Sequence, residues 1–314
     1  MPSWQETAGW TVAIAAKLRG RALNLFNPRC IKIGVPLCAA VGRPRGQHGH
    51  GNKRLASSGF PGHAQPMSNQ NTQRLDQLLV SLGLFASRSR ARDAVSRGTV
   101  KVSGAVVTKP GALFAGDAVI EIDDPAQDYV SRAALKLIAA LDHFHLDPAG
   151  HHCLDVGAST GGFTEVLLER GAAHVTAIDV GHGQMHPRIA SDPRVGNIEG
   201  LNARNLKAEE IGRPITFVVS DVSFISLKLA VAPALQIAEP GAVAALLVKP
   251  QFEAGREAIG KGGLLKDPSS ARAVADELGR WFAKDMGWKS LGLIASPIAG
   301  GDGNQEFLLA GTKP

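Results

Sequence analysis

The sequence predicts an α/β protein: a doubly wound sheet preceded by a small α+β domain. Three observations predict it. From about residue 131 onward, short apolar runs alternate with helical patterns, the rhythm of strand–helix units stacked on a mostly parallel sheet. One such run, Cys153-Leu154-Asp155-Val156, stops at a glycine-rich loop, and a helical pattern follows through Phe163, Val166, Leu167 and Leu168. Upstream, residues 73–123 have a different order: two short helical patterns and then a hairpin.

A chain of 314 residues can hold two domains with sizeable cores. The expected divisions are a leader over 1–66, a small domain over 67–124, a linker over 125–130 that opens at Asp123-Asp124-Pro125, and a large domain over 131–314. The leader has scattered Pro, Gly and Arg and no sustained periodicity, and its Gln47-His48-Gly49-His50-Gly51-Asn52 stretch reads as disordered. It is either an Arg-rich targeting segment or upstream translation with Met67 as the working start. The scarcity of serine and of a continuous amphipathic stripe favours the second. It also carries nine Lys and Arg against one acid, which leaves 25 basic and 27 acidic residues for the rest. The pI of about 9.4 is therefore no evidence that the folded part binds nucleic acid; only local clusters are.

No apolar run approaches the roughly 18 residues of a membrane span. Cys30, Cys38 and Cys153 match neither a metal-ligand pattern nor a disulfide framework, so no metal is expected and a reducing compartment is.

In the small domain, Leu75, Leu78, Leu79 and Leu82 form a helical stripe that Gly83 can stop. Ser87 can cap a second helix from Arg88 to Arg97, packed through Ala91, Ala94 and Val95. On it Arg88 and Arg92 share one face, and Arg90 and Arg97 another. Thr99-Val100-Lys101-Val102, a Ser103-Gly104 turn and Val106-Val107 read as a hairpin, and Ala118–Ile122 as a further strand. Guanidinium groups on one short helix suit backbone phosphates, although a charge run is more often a solvated face.

In the large domain, strands are expected at 153–156, 174–178, 195–198, 215–219, 243–248, 290–295 and 305–310. The glycine loop spaces Asp155, Gly157 and Gly161 as Asp-x-Gly-x-x-x-Gly. Ser159 stands where a dinucleotide fingerprint needs its second glycine, and no Gly-Lys-Ser/Thr follows as in a phosphate-binding Walker loop. Glycines let a ligand approach the backbone, and the helix start offers free N–H groups. Asp179 ends the next strand about 20 residues on, where a carboxylate can accept from the ribose hydroxyls of a nucleoside; it can also simply cap the Val180-Gly181 turn.

Asp221 and Lys249 each follow an apolar strand, so both face the crevice beyond the strands' carboxyl ends. Lys136 lies on the helix before the glycine-loop strand, and Glu306 in Gly303-Asn304-Gln305-Glu306. Singly, each fits an ordinary role: an exposed lysine, a turn cap, a surface ion pair.

The glycine loop resembles motif I of class I S-adenosylmethionine-dependent methyltransferases, which implies a Rossmann-like doubly wound sheet and S-adenosyl-L-methionine as cofactor. Residues 74–79, 87–92 and 98–104 resemble the alpha-L RNA-binding motif, which reads RNA shape and phosphate. Lys136, Asp221, Lys249 and Glu306 resemble the Lys-Asp-Lys-Glu tetrad of RNA ribose 2′-O-methyltransferases.

With Ser220–Ser226, Val248–Glu253, Lys261-Gly262-Gly263 and Ser296-Pro297-Ile298, the chain is identified as resembling the hemolysin A (TlyA) family over residues 73–314. That family joins an alpha-L domain to a heat-shock rRNA methyltransferase-like domain.

The resemblance implies methyl transfer to a ribosomal RNA 2′-hydroxyl, typically of cytidine, in the cytoplasm, with ribosomal RNA or subunits as partner. It implies Lys249 as the central group of the tetrad, held by Asp221, with Lys136 and Glu306 completing the network. A lysine can assist proton removal once its surroundings bring its pKa well below about 10.4. The cofactor side falls to Asp155, Gly157, Ser159, Gly161, Gly162, Phe163, Asp179 and Asn202, and the RNA side to Arg74, Arg88, Arg90, Arg92, Arg97 and Lys101. The chain departs from the family at Ala133-Ala134, where glycines are expected, and at Ala299–Asp302, where a basic residue is. A non-catalytic RNA-binding protein and a membrane-active hemolysin are the rival readings.

Overall fold

The computed structural model describes residues 72–314, which divide into two compact units between Asp123 and Asp124. The expectations for residues 1–66 lie outside the described residues.

The first unit contains β1 (Thr72–Arg74), α1 (Leu75–Ser81), α2 (Arg88–Ser96), β2 (Val100–Val102), β3 (Ala105–Val106), β4 (Leu113–Ala115) and β5 (Ile120–Ile122). Leu75, Leu78 and Leu79 of α1 bury their stripe with Ala91, Ala94 and Val95 of α2, whose small side chains let the helices approach. Ser87 caps α2, its hydroxyl accepting from the Arg90 N–H at 3.3 Å. The β2–β3 hairpin turns at Ser103-Gly104, both at positive φ, and β5 pairs with the other edge of β2. The antiparallel β1–β4 pair is unannounced in the sequence, because three residues per strand, none of them buried, carry no readable alternation.

The second unit is built on a seven-stranded sheet: β6 (His152–Val156), β7 (His174–Asp179), β8 (Val195–Glu199), β9 (Phe217–Ser220), β10 (Val243–Val248), β11 (Lys289–Ala295) and β12 (Phe307–Thr312), in the spatial order β8-β7-β6-β9-β10-β12-β11. Every strand expected from the apolar runs is present. The first five of that order run parallel, while β12 is antiparallel to β10 and to β11. One face is covered by α3 (Ala134–His143) and α4 (Gly162–Glu169), through Leu137, Leu141, Val166 and Leu167. The other is covered by α5 (Leu227–Ile237) and α6 (Ala271–Lys284), through Val231, Leu235, Leu278 and Phe282. With helices on both faces, the central strands read as unbroken apolar runs.

The strand order reverses at β6, so a crevice opens beyond the carboxyl ends of β6 and β9. The antiparallel β12 begins at that same end: Phe307 pairs with Val248, which brings Glu306 and Lys249 onto one edge of the sheet.

Candidate active site

The glycine loop joins β6 to α4. Gly157 (φ +84°) and Gly161 (φ +90°) adopt backbone conformations that L side chains avoid. A Cβ on Gly157 would lie 2.9 Å from Val222 Cγ1 and 3.2 Å from the Asp221 carbonyl, so only glycine lets this loop pack on the segment after β9. Ser159 is left-handed as well (φ 46°). Its N–H donates to Asp179 Oδ2 at 2.8 Å, and the Gly181 N–H donates to Asp179 Oδ1 at 2.7 Å. Asp179 therefore caps the Val180-Gly181 turn and at the same time ties that turn to the glycine loop. Each of its oxygens keeps a further lone pair for a ligand.

Asp155 is fully buried at the end of β6. Thr164 Oγ1 donates to its Oδ2 at 2.7 Å, while its Oδ1 has no hydrogen-bond partner. Burial pushes its carboxyl up to about 7; the Thr164 hydrogen bond opposes the shift and the Asp221 charge adds to it. Phe163 and Gly162 are buried at the start of α4 and line the crevice. Asn202 lies further along, after β8; its side chain accepts from the Arg204 N–H at 3.1 Å, and the preceding Leu201 N–H donates to the Asp179 carbonyl at 3.1 Å.

A cavity of about 150 Å³ runs from the glycine loop to Asp221, Ser223 and Lys249. The four tetrad residues form two ion pairs around this end of the sheet. Lys136 Nζ lies 2.5 Å from Glu306 Oε2, with both side chains buried. Lys249 Nζ lies 2.6 Å from Asp221 Oδ1, at the cavity wall. Burial pushes the Glu306 carboxyl up; the Lys136 charge and hydrogen bond pull it down, and Lys249 and Asp221 are close enough to act on it with opposite signs. The ordinary alternatives for these residues are not what the chain adopts: Lys136 is buried, and Asp221 meets a lysine.

One group at this site escaped the sequence reading. The directed hydrogen bond of the Lys249 ammonium goes to Ser223 Oγ at 2.7 Å, and its close contact with Asp221 Oδ1 lacks hydrogen-bond geometry. The only signal in the sequence was Ser223's place two residues after Asp221.

On the first unit, the candidate RNA-contacting cations surround α2. Asp76, fully covered by its neighbours, holds Arg74 Nε at 3.0 Å on one oxygen and Arg88 Nη2 at 3.0 Å on the other. The Arg74 guanidinium keeps the Asp76 carboxyl below its ordinary range; burial opposes this and Arg88 adds to it. Arg97 pairs with Asp93 at 2.8 Å within α2. Arg92 and Lys101 are exposed, and Arg90 is half-buried.

Among the described residues, no group of His, Cys, Asp and Glu is placed to hold a metal, and no helix is long and apolar enough to cross a membrane.

Comparison with known proteins agrees with this division of labour. Residues 129–313 match the FtsJ-like methyltransferase family and residues 73–120 match the S4 domain family. The chain is 45% identical over 238 residues to the 16S/23S rRNA (cytidine-2′-O)-methyltransferase TlyA of Mycobacterium tuberculosis, which covers 75% of this chain and 88% of the relative. It is 38% identical to Hemolysin A of Brachyspira hyodysenteriae, over 75% of this chain and 98% of that protein. Among solved structures, a hemolysin-named protein from Streptococcus thermophilus superposes with a TM-score of 0.60 at 38% identity, covering 78% of this chain and 89% of the other.

Proposed function

Because this chain belongs to the TlyA/hemolysin A family, an FtsJ-like methyltransferase with an S4 domain, we propose that it methylates a cytidine 2′-hydroxyl of ribosomal RNA in the cytoplasm, using S-adenosyl-L-methionine. The observation that carries the reading is the Lys249–Asp221 pair at the wall of the cavity that begins at the glycine loop, backed by the buried Lys136–Glu306 pair.

The residues present fit the methyl donor. The left-handed glycines keep the loop free of side chains, the start of α4 offers N–H groups for a carboxylate, and the unpartnered Asp155 Oδ1 favours a nearby cationic group. Asp179 and Asn202 would serve the ribose and base side, with Gly157, Ser159, Gly161, Gly162 and Phe163 along the rest of the cofactor. When bound, the cofactor supplies an electrophilic methyl group on a sulfonium.

The chain's own residues then have to align and deprotonate a weak nucleophile. In the proposed step Lys249 Nζ takes the proton of the ribose 2′-hydroxyl as that oxygen attacks. Asp221, 2.6 Å away, neutralises the ammonium that results and limits the directions in which Lys249 can point. Lys136 and Glu306 position the ribose. Their pair is preformed and buried, so little reorganisation is needed at the moment of reaction. Arg74, Arg88, Arg90, Arg92, Arg97 and Lys101 would engage phosphates, fixing register without reading bases.

The test is transfer of labelled methyl from S-adenosylmethionine to purified unmethylated ribosomal subunits, with and without Lys249→Ala. Label in a cytidine ribose that disappears in the variant supports the reading. Absence of label with folded, cofactor-binding protein would point to the non-catalytic RNA-binding alternative.

A further inference from the structure

Resting on that reading, we infer that Ser223 is a positioning residue: its hydroxyl sets the Lys249 ammonium, and the strained segment around it exists to present that hydroxyl.

Lys249 has contacts of two kinds. Asp221 offers charge at 2.6 Å without a directed hydrogen bond, so the carboxylate attracts the ammonium without fixing its rotation. Ser223 Oγ accepts a directed bond at 2.7 Å, and that bond selects which N–H faces the serine and which is left for the cavity. Lys136 and Glu306 bond to each other and leave the orientation of Lys249 to Ser223.

The backbone reinforces the assignment. Phe224, the next residue, sits at φ +64°, a conformation that bulky side chains rarely adopt and that persists only where the surroundings hold it. The segment meets the turn after β10 at two points. Phe224 itself is 92% exposed, and its ring meets Phe252 at a tilt, with ring centroids 5.3 Å apart. Glu253 takes the Ser226 hydroxyl at 2.7 Å on one oxygen and the Leu227 N–H at 2.5 Å on the other, clamping the start of α5. Phe252 and Glu253 lie three and four residues after Lys249. The turn after β10 and the loop after β9 are thus tied to each other just beyond the Lys249–Ser223 bond. A loop whose sole task was to carry Asp221 would need neither the left-handed Phe224 nor the second brace.

The experiment compares full-length wild type, Ser223→Ala and Ser223→Thr by two readouts. The first is the kinetics of methyl transfer to unmethylated ribosomal subunits across pH. The second is the ¹⁵Nζ resonance of Lys249, assigned by its loss in Lys249→Arg. Removal of the hydroxyl is expected to lower kcat by roughly tenfold or more, with KM within about twofold. It should also displace the pH–rate profile and move the Lys249 resonance. Ser223→Thr, which keeps the hydroxyl, should restore both. An unmoved resonance in Ser223→Ala, or an unaltered kcat and pH profile, overturns the assignment, as does equal loss of cofactor affinity and rate with an unmoved resonance. Failure of the wild type to methylate subunits would instead sink the proposed reaction, and the resonance would still decide whether Ser223 sets Lys249.

Discussion

The two units use the same chemistry, an acid holding cations, in opposite geometries. In the first unit one covered carboxylate, Asp76, holds two arginines whose side chains stay about half exposed. In the second, both members of the Lys136–Glu306 pair are withdrawn from solvent, and Lys249–Asp221 is nearly so. The first arrangement desolvates only the carboxylate and leaves guanidinium edges turned outward, a geometry open to phosphates. The second costs desolvation of both ions, repaid only by good geometry, and is weak evidence for stability. The difference teaches that the buried pairs are better explained by positioning than by folding, and the exposed ones by binding.

The sharpest way to break this contrast is Lys249→Ala. Transfer should fall by about 10³-fold or more, while cofactor affinity, measured by calorimetry, stays near wild type. Next is Glu306→Leu, which strands the Lys136 ammonium among buried groups. Urea denaturation should show a loss of about 3–5 kcal/mol, the range for a broken buried pair. Lys136→Met should cost less than Glu306→Leu at mildly acidic pH, because the Glu306 carboxyl is already pushed up by burial and can take a proton. Equal costs at all pH values would contradict this account.

Asp155 gives an effect with a definite sign. Its folded-state value of about 7 lies above the ordinary carboxylate value of about 3.9. A group raised on folding contributes stability that is present below the unfolded value and lost as pH rises through the folded one. In the cofactor-free protein, wild type should therefore lose stability relative to Asp155→Asn between about pH 4 and pH 7, and the difference should level off above about pH 8. Thermal melts across that window would show it, and parallel curves would refute it.

How much of this was legible in the sequence depends on the range of the interaction. The seven strands were readable because each central one is an apolar run bounded by turns. Asp221 and Lys249 were readable because each directly follows such a run. The direction of β12 was not, since an antiparallel strand carries the same residue pattern; yet that direction brings Glu306 to Lys249. Ser223 could be quoted but not assigned, because its partner comes from another strand's end 26 residues away. Asp76 was invisible as a hub: it sits within the first helix, and its second arginine lies 12 residues on. Asp179 was legible as a cap of the Val180-Gly181 turn, but not as the tie between the glycine loop and that turn.

The smallest predicted effect tests the contrast from the binding side. Asp76→Asn raises the net charge by one, so charge counting alone predicts tighter binding to a polyanion. The geometry predicts the opposite. Asp76 fixes two guanidiniums at once, and an amide, with one oxygen and no charge, would leave Arg74 and Arg88 to explore many rotamers before meeting a phosphate. Binding of the variant to ribosomal RNA fragments should weaken by a few-fold, about the cost of re-ordering two long side chains. The salt dependence should change little, since the same cations still release counterions. A separate Arg92→Ala variant should lower the salt slope by about one phosphate's worth, with kcat at saturating RNA unchanged. Tighter binding of Asp76→Asn would mean that Asp76 merely dilutes the positive face, and the comparison between an organised binding surface and a positioned catalytic one would lose its first half.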